Sequence, residues 1–429
     1  MGIGLAAAPT VAQAQDAQVQ IIHNSGDPDA RFVDLYIEND DGSLVQTLDN
    51  VKYRSATDFP AVPPDTYDVT VADSSSAGPD DGVIKEFTGI TLNSGTNYTV
   101  VANGVASPGD FEGNPDGNDI AFDLDLMTGA LPSGTSGDNT VEVRAAHGAT
   151  DAPTVDIQDA NDNVLFDDAS YGGITPYIDA TAESITLKVT PGDDTNNDAV
   201  ATFTNVPLGN FEGNTLTVVA SGFLSPDNEN TDDERPVAPF TLLAVDNEGN
   251  VVDLGSAQAQ VIHNSGDPDA RRVDIYVDGT RILDDFAYRS ASPFVGLDSG
   301  VRDISVAPPS SEDTTDAIAT FTRMVPTNGS LSILANGVLS PGDFQDNPDG
   351  VDTAFDLDIA TGARESVEST DGDVEIRAAH GVTDAPTVDV LAGGSVFVDD
   401  ATYTDITDYL SAPAQQLTLE VTPGNDNNT

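Results

Sequence analysis

The residues of this sequence best suited to chemistry are its four histidines, each followed within a few residues by an aspartate. An imidazole beside a carboxylate can belong to a catalytic triad or help to hold a metal ion. It can equally hydrogen-bond the loop that follows it and fix a turn. The structural role is favoured, because a scaffold repeats its turns whereas tandem active sites are rare, and one histidine per copy cannot build a histidine-rich zinc site. We predict this role for His23, His147, His263 and His380, and for the aspartates of the following strands, Asp34, Asp156, Asp274 and Asp389.

Two long acidic loops are the second candidate for chemistry. Residues 107–125 and 340–358 both contain Ser-Pro-Gly-Asp-Phe, then Asn-Pro-Asp-Gly, and end in Ala-Phe-Asp-Leu-Asp. Calcium takes about six to eight oxygen ligands, so three aspartates in each loop could converge on one ion. Solvated loops are the alternative, because aspartate clusters arise by chance at this composition. The candidate calcium ligands are Asp110, Asp116, Asp119, Asp343, Asp349 and Asp352.

The histidine stretches recur roughly every 120 residues, which fits a small β-sandwich domain and is too long for a solenoid turn. The first and third read His-Asn-Ser-Gly-Asp-Pro-Asp-Ala, and the second and fourth share His-Gly-x-Thr-Asp-Ala-Pro. This pairing indicates that a two-domain block was duplicated. We expect a signal-peptide remnant at 1–16, repeat 1 at 17–137, repeat 2 at 138–255, repeat 3 at 256–371 and a truncated repeat 4 at 372–429.

Alternating apolar and polar residues predict the elements that position these side chains. Short runs of period two, such as 17–22 and 66–72, lie between turns rich in glycine, proline and aspartate. No long segment has the period of a helix. The pattern is typical of an all-β fold built from tandem immunoglobulin-like antiparallel β-sandwich domains with Greek-key-like connections.

The histidine stretch also carries a resemblance. A strand ending in His, a loop with Asp and Pro or Ala, and then Val-Asp on an alternating strand resembles the bacterial "domain of unknown function 4397" family. The segment Pro64–Tyr67 fits the family's later Pro-x-x-Tyr, whereas repeat 3 departs from it at Gly300–Asp303. The resemblance covers nearly the whole chain in four copies. It implies secreted or surface-attached β-domains, and it carries no catalytic residues to this sequence.

The charge balance limits the partners. The chain has 73 acidic and 15 basic residues, for a net charge of −58. Such a surface repels nucleic acid and anionic lipid. It suits high salt, which screens like charges, so we expect a halophilic source; a calcium-rich or acidic extracellular setting is the alternative. Because there is no cysteine, disulfides and thiolate metal sites are excluded.

The termini and the repeat pattern complete the functional hypothesis. Ala12-Gln13-Ala14 has the form of a signal-peptidase site, which predicts export, and no apolar run approaches the roughly 20 residues of a membrane span. We expect a secreted or cell-surface structural or adhesion protein without catalysis, whose partners are surface or extracellular-matrix components. The alternative is an extracellular ligand-binding protein or enzyme that uses the acidic loops, with calcium. Repeat 4 stops at Thr429, short of three strands predicted in repeat 2, so we expect a fragment whose residues 373–429 are the least stable.

Overall fold

The computed structural model describes residues 15–135, 137, 139–192, 198–226, 237–366 and 373–424. Within these ranges the chain consists of strands, turns and 3-10 helices of three or four residues, with no α-helix, which confirms the all-β prediction. The chain divides into two compact units, Met1–Gly255 and Ser256–Thr429. Most of the predicted signal-peptide remnant and the predicted boundary at 371–372 lie outside the described residues.

Repeat 1 forms two sheets around a shared core. Its strands are β1 (Ala17–His23), β2 (Phe32–Asn39), β3 (Leu44–Lys52), β4 (Ser55–Ala56), β5 (Ala61–Val62), β6 (Thr66–Asp73), β7 (Val83–Thr91), β8 (Asn97–Asn103) and β9 (Asp123–Thr128). One sheet has the order β3-β2-β6-β7, and the other has the order β4-β1-β8-β9 with β5 also paired to β1. Val33, Leu35 and Val71 of the first sheet pack with Ala102 of the second. Burial of these alternating side chains stabilises the pair of sheets.

Repeat 2 has the same plan and one additional strand at its end. Its strands are β10 (Thr140–His147), β11 (Val155–Gln158), β12 (Val164–Ala169), β13 (Ile178–Thr181), β14 (Ser184–Pro191), β15 (Ala201–Pro207), β16 (Thr215–Ser221), β17 (Thr241–Asp246) and β18 (Val251–Asp253). The sheets have the orders β13-β10-β16-β17-β18 and β12-β11-β14-β15. Phe203, Leu216 and Leu242 are fully buried between them. These residues belong to β15, β16 and β17, which follow β14 in the chain, so the core depends on the second half of the repeat.

Unit 2 contains repeats 3 and 4. The strands of repeat 3 are β19 (Ala257–His263), β20 (Arg272–Val277), β21 (Thr280–Ala287), β22 (Ala291–Leu297), β23 (Gly300–Ala307), β24 (Ala319–Val325), β25 (Ser330–Asn336) and β26 (Asp356–Thr361). Its sheets have the orders β22-β19-β25-β26 and β21-β20-β23-β24. The strands in the described part of repeat 4 are β27 (Val374–Ile376), β28 (Val388–Ala392), β29 (Ser395–Ala401), β30 (Leu410–Ala412) and β31 (Leu419–Pro423). There β27 pairs with β30, and β28 lies between β29 and β31.

Most strand pairs are antiparallel, as expected, but each of the first three repeats also contains one parallel pair. β1 pairs with β8, β10 with β16 and β19 with β25, each in parallel. A parallel partner requires a long crossover connection, and here the connection includes all the strands of the opposite sheet. Apolar alternation is the same for both directions, so the sequence pattern did not reveal this pairing.

Repeats 1 and 2 also pack against each other within unit 1. Ile22 and Val101 of repeat 1 share an apolar cluster with Val219 and Leu243 of repeat 2. The side chain of Arg144 crosses the interface: its Nε donates to Thr217 Oγ1 at 3.0 Å, its guanidinium donates to Thr99 Oγ1, and it lies 4.6 Å from the Tyr177 ring centroid. Arg144 is only 1% exposed. The buried polar bonds and the apolar cluster therefore join the two repeats over a continuous surface.

Candidate functional site

Each histidine closes the loop that follows it. In every repeat the imidazole Nε2 contacts a backbone carbonyl oxygen six or seven residues later. Because a carbonyl oxygen only accepts, Nε2 carries the proton and donates it. The four pairs are His23 with Ala30 (2.7 Å), His147 with Pro153 (3.0 Å), His263 with Ala270 (2.7 Å) and His380 with Pro386 (3.1 Å).

The imidazoles are buried beside an aromatic ring. His23 is 1% exposed, and the Tyr53 ring meets it edge to face with 6.3 Å between centroids. Burial lowers the pKa of His23 to about 4, against a smaller opposing effect of the bond to Ala30. Burial also lowers the pKa of His147 and His263. These three imidazoles are therefore uncharged at neutral pH and tied to the loop backbone.

The sequence patterns did not predict the tyrosine that lies beside each histidine. Each lies in the turn before the next strand, and the edge-to-face geometry recurs in all four repeats, with 6.2–6.3 Å between ring centroids. Aligning the repeats would have found it, because every copy has a tyrosine 23 to 30 residues after its histidine. The four tyrosines are Tyr53, Tyr171, Tyr288 and Tyr403.

The strand aspartates stabilise a bulge on the neighbouring strand. In repeat 1 the Asp34 carboxylate accepts the backbone N–H of Asn50 at 2.7 Å, and Asn50 has the left-handed φ of 54°. The register shifts beside it, which marks a β-bulge. Asn and Asp tolerate this φ better than other residues with a side chain, which explains the polar residue at the bulge. The same bond joins Asp156 to Asp168, Asp274 to Asp285 and Asp389 to Asp400.

The acidic loop of repeat 1 holds repeat 2 through an amide and a carboxylate. Asn114 Nδ2 donates to the carbonyl oxygens of Thr150 and Ala152, both at 2.9 Å. One carboxylate oxygen of Asp116 accepts from the Thr154 backbone N–H at 2.6 Å and from its hydroxyl at 2.8 Å. Asn114 is 6% exposed, so its bonds are shielded from water. We call residues 107–125 and their twin, 340–358, the latch loops.

The latch loop of repeat 3 makes the same contacts with repeat 4. Asn347 Nδ2 donates to the carbonyl oxygens of Thr383 and Ala385, both at 3.0 Å. Asp349 accepts from the Thr387 backbone N–H at 2.5 Å and from its hydroxyl at 2.8 Å. The contacts that join repeat 3 to repeat 4 are therefore the same as those that join repeat 1 to repeat 2. Sequence analysis did not single out either asparagine, although both precede Pro-Asp-Gly at matching positions.

The six predicted calcium ligands lie in the latch loops. Asp110 and Asp343 each end a 3-10 helix, and Asp116 and Asp349 bond the next repeat. Asp119 and Asp352 each accept a backbone N–H two residues later. Calcium binding there stays a prediction.

Among the described residues, one carboxylate trio brings its oxygens within 4.8 Å of one another: Asp156, Asp167 and Asp168. It lies at the bulge of repeat 2 and includes none of the predicted calcium ligands. In repeat 3 the corresponding place holds Arg281, whose guanidinium lies 3.0 Å from Asp274 and 3.1 Å from Asp284. Repeat 3 thus balances the bulge carboxylates with a guanidinium from its own chain.

A second group of acidic side chains surrounds Tyr171, which lies where repeats 1 and 2 meet. Burial raises the pKa of Asp125 to about 6, Asp123 adds to the rise, and the bond from Asn103 opposes it. Burial also raises the pKa of Tyr171, and the nearby carboxylates reinforce the effect. In unit 2 burial likewise raises the pKa of Asp358. The joint of each block therefore contains a carboxyl group that resists ionisation.

The described residues contain no helix with the length and apolarity that crossing a membrane requires. The solved structures similar to this chain include the following two, both at low identity. The chain is similar to the Bacillus anthracis TIE protein at 10% identity and a TM-score of 0.17, covering 75% of this chain and 50% of that one. It is similar to the fimbrial anchor protein Mfa2 from Porphyromonas gingivalis at 13% identity and a TM-score of 0.16, covering 56% of this chain and 99% of that one. Similarity at these scores carries no argument about function, and this chain spans half the length of the first protein.

No curated protein matches this sequence. The model of the family described as Domain of unknown function (DUF4397) matches it in four segments, residues 17–115, 141–268, 257–349 and 374–429. Each segment contains a histidine together with the aspartate of the strand that follows it and the loop between them. The matched segments cover most of the sequence, and the chain therefore belongs to the DUF4397 family.

Proposed function

We propose that this protein is a structural component of the cell surface or the extracellular space, without catalysis. Its recurring polar side chains support a scaffold: the histidines close loops, the strand aspartates stabilise bulges, and the latch loops join neighbouring repeats. The observation that carries the proposal is the identical latch in both blocks, Asn114 with Thr150 and Asn347 with Thr383. A chain that preserves a joint between domains is suited to holding those domains at a fixed spacing.

The partners we propose are components of the cell surface or the extracellular matrix. The net charge of −58 favours partners that are neutral or basic and disfavours nucleic acid and anionic membrane. The same charge supports a saline habitat, where screening lets a surface of this density stay folded. We also propose that the domain boundaries predicted from the sequence delimit the four repeats of this scaffold.

Protease treatment of intact cells from the source organism tests the location. Digestion should remove the protein from cells whose cytoplasmic marker stays intact. In the purified protein, the joints between repeats should resist cleavage in molar NaCl. Recovery of undigested protein with the cytoplasmic marker would contradict a surface role. Turnover of a glycan or peptide by the purified chain, abolished by His23→Gln, would instead favour the enzymatic alternative.

A further inference from the structure

The hairpin of β11 and β12 in repeat 2 brings three carboxylates together at its bulge. Asp156 lies on β11, and Asp167 and Asp168 lie at the bulge of β12. One carboxylate oxygen of each lies within 4.8 Å of the others. Like charges this close repel one another, so the arrangement favours a cation among them.

The most buried member of this trio has an oxygen to offer. Asp156 is 8% exposed. Its Oδ1 accepts the backbone N–H of Asp168 at 2.8 Å, whereas its Oδ2 accepts no hydrogen bond from any residue that the structure describes. Carboxylates that are withdrawn from water are normally paired with a cation or coordinate a metal. One oxygen of Asp156 therefore holds the bulge, and the other is available to a bound ion.

In repeat 3 the same three positions bind guanidinium groups. Nη1 of Arg281 lies 3.0 Å from the Asp274 carboxylate and 3.1 Å from that of Asp284. Arg272 bonds the Asp285 carboxylate at 2.5 Å. All three counterparts of the repeat 2 trio thus have a positively charged partner from their own chain.

Repeat 2 has neither of these arginines. The strand register places Val164 opposite Gln158, where repeat 3 has Arg281. Two residues before the strand aspartate, repeat 2 has Thr154 and repeat 3 has Arg272. Repeat 2 therefore keeps the three carboxylates and has uncharged side chains in place of the two arginines.

Repeat 1 differs from both in having fewer charges at the bulge. Asn50 stands in place of Asp168, so the group has one carboxylate fewer. Asp34 Oδ2 also accepts the hydroxyl of Ser76 at 2.9 Å. The trio of repeat 2 thus carries more negative charge than its counterpart in repeat 1 and lacks the arginines of repeat 3.

We propose that Asp156, Asp167 and Asp168 bind a calcium ion at the bulge of repeat 2, in the place that Arg281 takes in repeat 3. Calcium accepts about six to eight oxygens at about 2.3–2.6 Å in a flexible geometry, which suits three carboxylates with water completing the shell. Magnesium is favoured less, because it requires a near-ideal octahedron. Two of the three ligands are exposed, so the expected Kd is that of extracellular modules, about 10⁻⁴–10⁻³ M. The site shares no residue with the predicted latch-loop ligands.

Calcium chloride is the probe, added in molar NaCl to the full chain after EDTA has removed divalent ions. The Asp168 amide, which donates to Asp156, should exchange more slowly as calcium rises, and the effect should saturate. Magnesium chloride at equal concentration should slow this exchange much less. Exchange at 164–169 assigns the binding to repeat 2, because repeat 4 has aspartates at the corresponding positions: Asp389, Asp399 and Asp400.

Two variants and a matched control locate the site. Asp167→Asn removes a ligand at an exposed position and should weaken calcium binding by about tenfold or more, since loss of an outer-shell partner alone costs about 10- to 100-fold. Val164→Arg supplies the guanidinium of repeat 3 at a position that is 48% exposed, and it should abolish the calcium response. Asp284→Asn, the same change in repeat 3, should leave the response unchanged. Thermal melting verifies that each variant is folded.

Exchange of the Asp168 amide that is independent of calcium would overturn the proposal, as would a calcium response that persists unchanged in Asp167→Asn and Val164→Arg. Equal and unsaturable slowing by calcium and magnesium would also overturn it, by showing that the ions only screen charge. Asp167→Asn leaves the latch loops unchanged, so calcium binding at those loops is measured in this variant.

Discussion

Replacing Asn114 with alanine should open the joint between repeats 1 and 2. The side chain donates two hydrogen bonds across that joint, to the carbonyl oxygens of Thr150 and Ala152. Its own carbonyl oxygen accepts from Asp116 N–H and from Asn118 Nδ2 within the loop. Alanine removes both sets of bonds at once, so the latch loop loses the bonds that fix its own conformation as well as the bonds that join it to repeat 2.

The magnitude follows from burial. Asn114 is 6% exposed, and both bonds across the joint are 2.9 Å long. A buried hydrogen bond contributes about 1 kcal/mol net, and leaving a buried carbonyl without a donor costs about 1–3 kcal/mol more. We expect a loss of about 2–4 kcal/mol, which corresponds to a rise of about 30- to 1000-fold in the opening equilibrium of the joint.

Native-state hydrogen exchange in molar NaCl measures this opening. The Thr154 amide reports on it, because its N–H donates to Asp116 across the joint. In Asn114→Ala its exchange should accelerate by the factor above, while unit 2 stays unchanged. Asn347→Ala is the matched variant and should act in the same way on Thr387. Asn161→Ala, at an exposed hairpin turn, is the control.

Equal exchange rates of the Thr154 amide in Asn114→Ala and in the Asn161→Ala control would contradict a role of Asn114 in closing the joint. Equal acceleration of every amide of unit 1 in Asn114→Ala would contradict it as well, since Asn114 would then act on folding as a whole and not on the joint.

Acidification should reduce the contribution of the buried histidines to stability: with the pKa of His23 lowered to about 4 from 6.5, the unfolded chain binds more protons at this group, so its contribution falls as pH drops from 6.5 toward 4, whereas Asp125, with its pKa raised to about 6, acts in the opposite direction. His23→Gln, whose amide can still donate to Ala30, should flatten the fall in melting temperature over that range. Asp274→Ala removes the acceptor of the Asp285 backbone N–H at the bulge, so it should lower the free energy of unfolding, measured by urea titration, by about 2–4 kcal/mol. The control Asp284→Ala, at an exposed position, should lower the free energy of unfolding by less than about 0.5 kcal/mol. The melting temperature should rise from low to molar NaCl as like charges are screened, and a flat profile would contradict the halophilic proposal. Calcium binding to the latch loops should release or absorb heat in calorimetry at molar salt and stabilise repeats 1 and 3, whereas repeat 2, whose loop differs, should respond less; a silent titration would count against it.

The sequence alone determined what depends on local pattern and repetition. Period-two runs and closely spaced turns established strands, and the recurrence of His with Val-Asp established tandem copies. The structural roles predicted for His23 and Asp34 concern contacts within one loop and one pair of adjacent strands. Such contacts depend on short segments of chain, so their signals stay close together in the sequence.

The tertiary structure decided the partners that lie far apart along the chain. Asp116 of the first acidic loop accepts the backbone N–H of Thr154 in the next repeat, a contact that exists because the two domains pack side by side there. The parallel pairing of β1 with β8 likewise depends on how the chain crosses to the opposite sheet and returns.

Exposure gives the clearest contrast. Val189 and Val421 stand in nearly identical strands, yet one is 2% and the other 67% exposed. The residues around Val189 that bury it include Phe203 and Leu216, which belong to later strands of repeat 2. Hydrophobicity of the side chain is a property of the sequence, but its burial depends on which distant strand covers it, and only the packed fold supplies that strand.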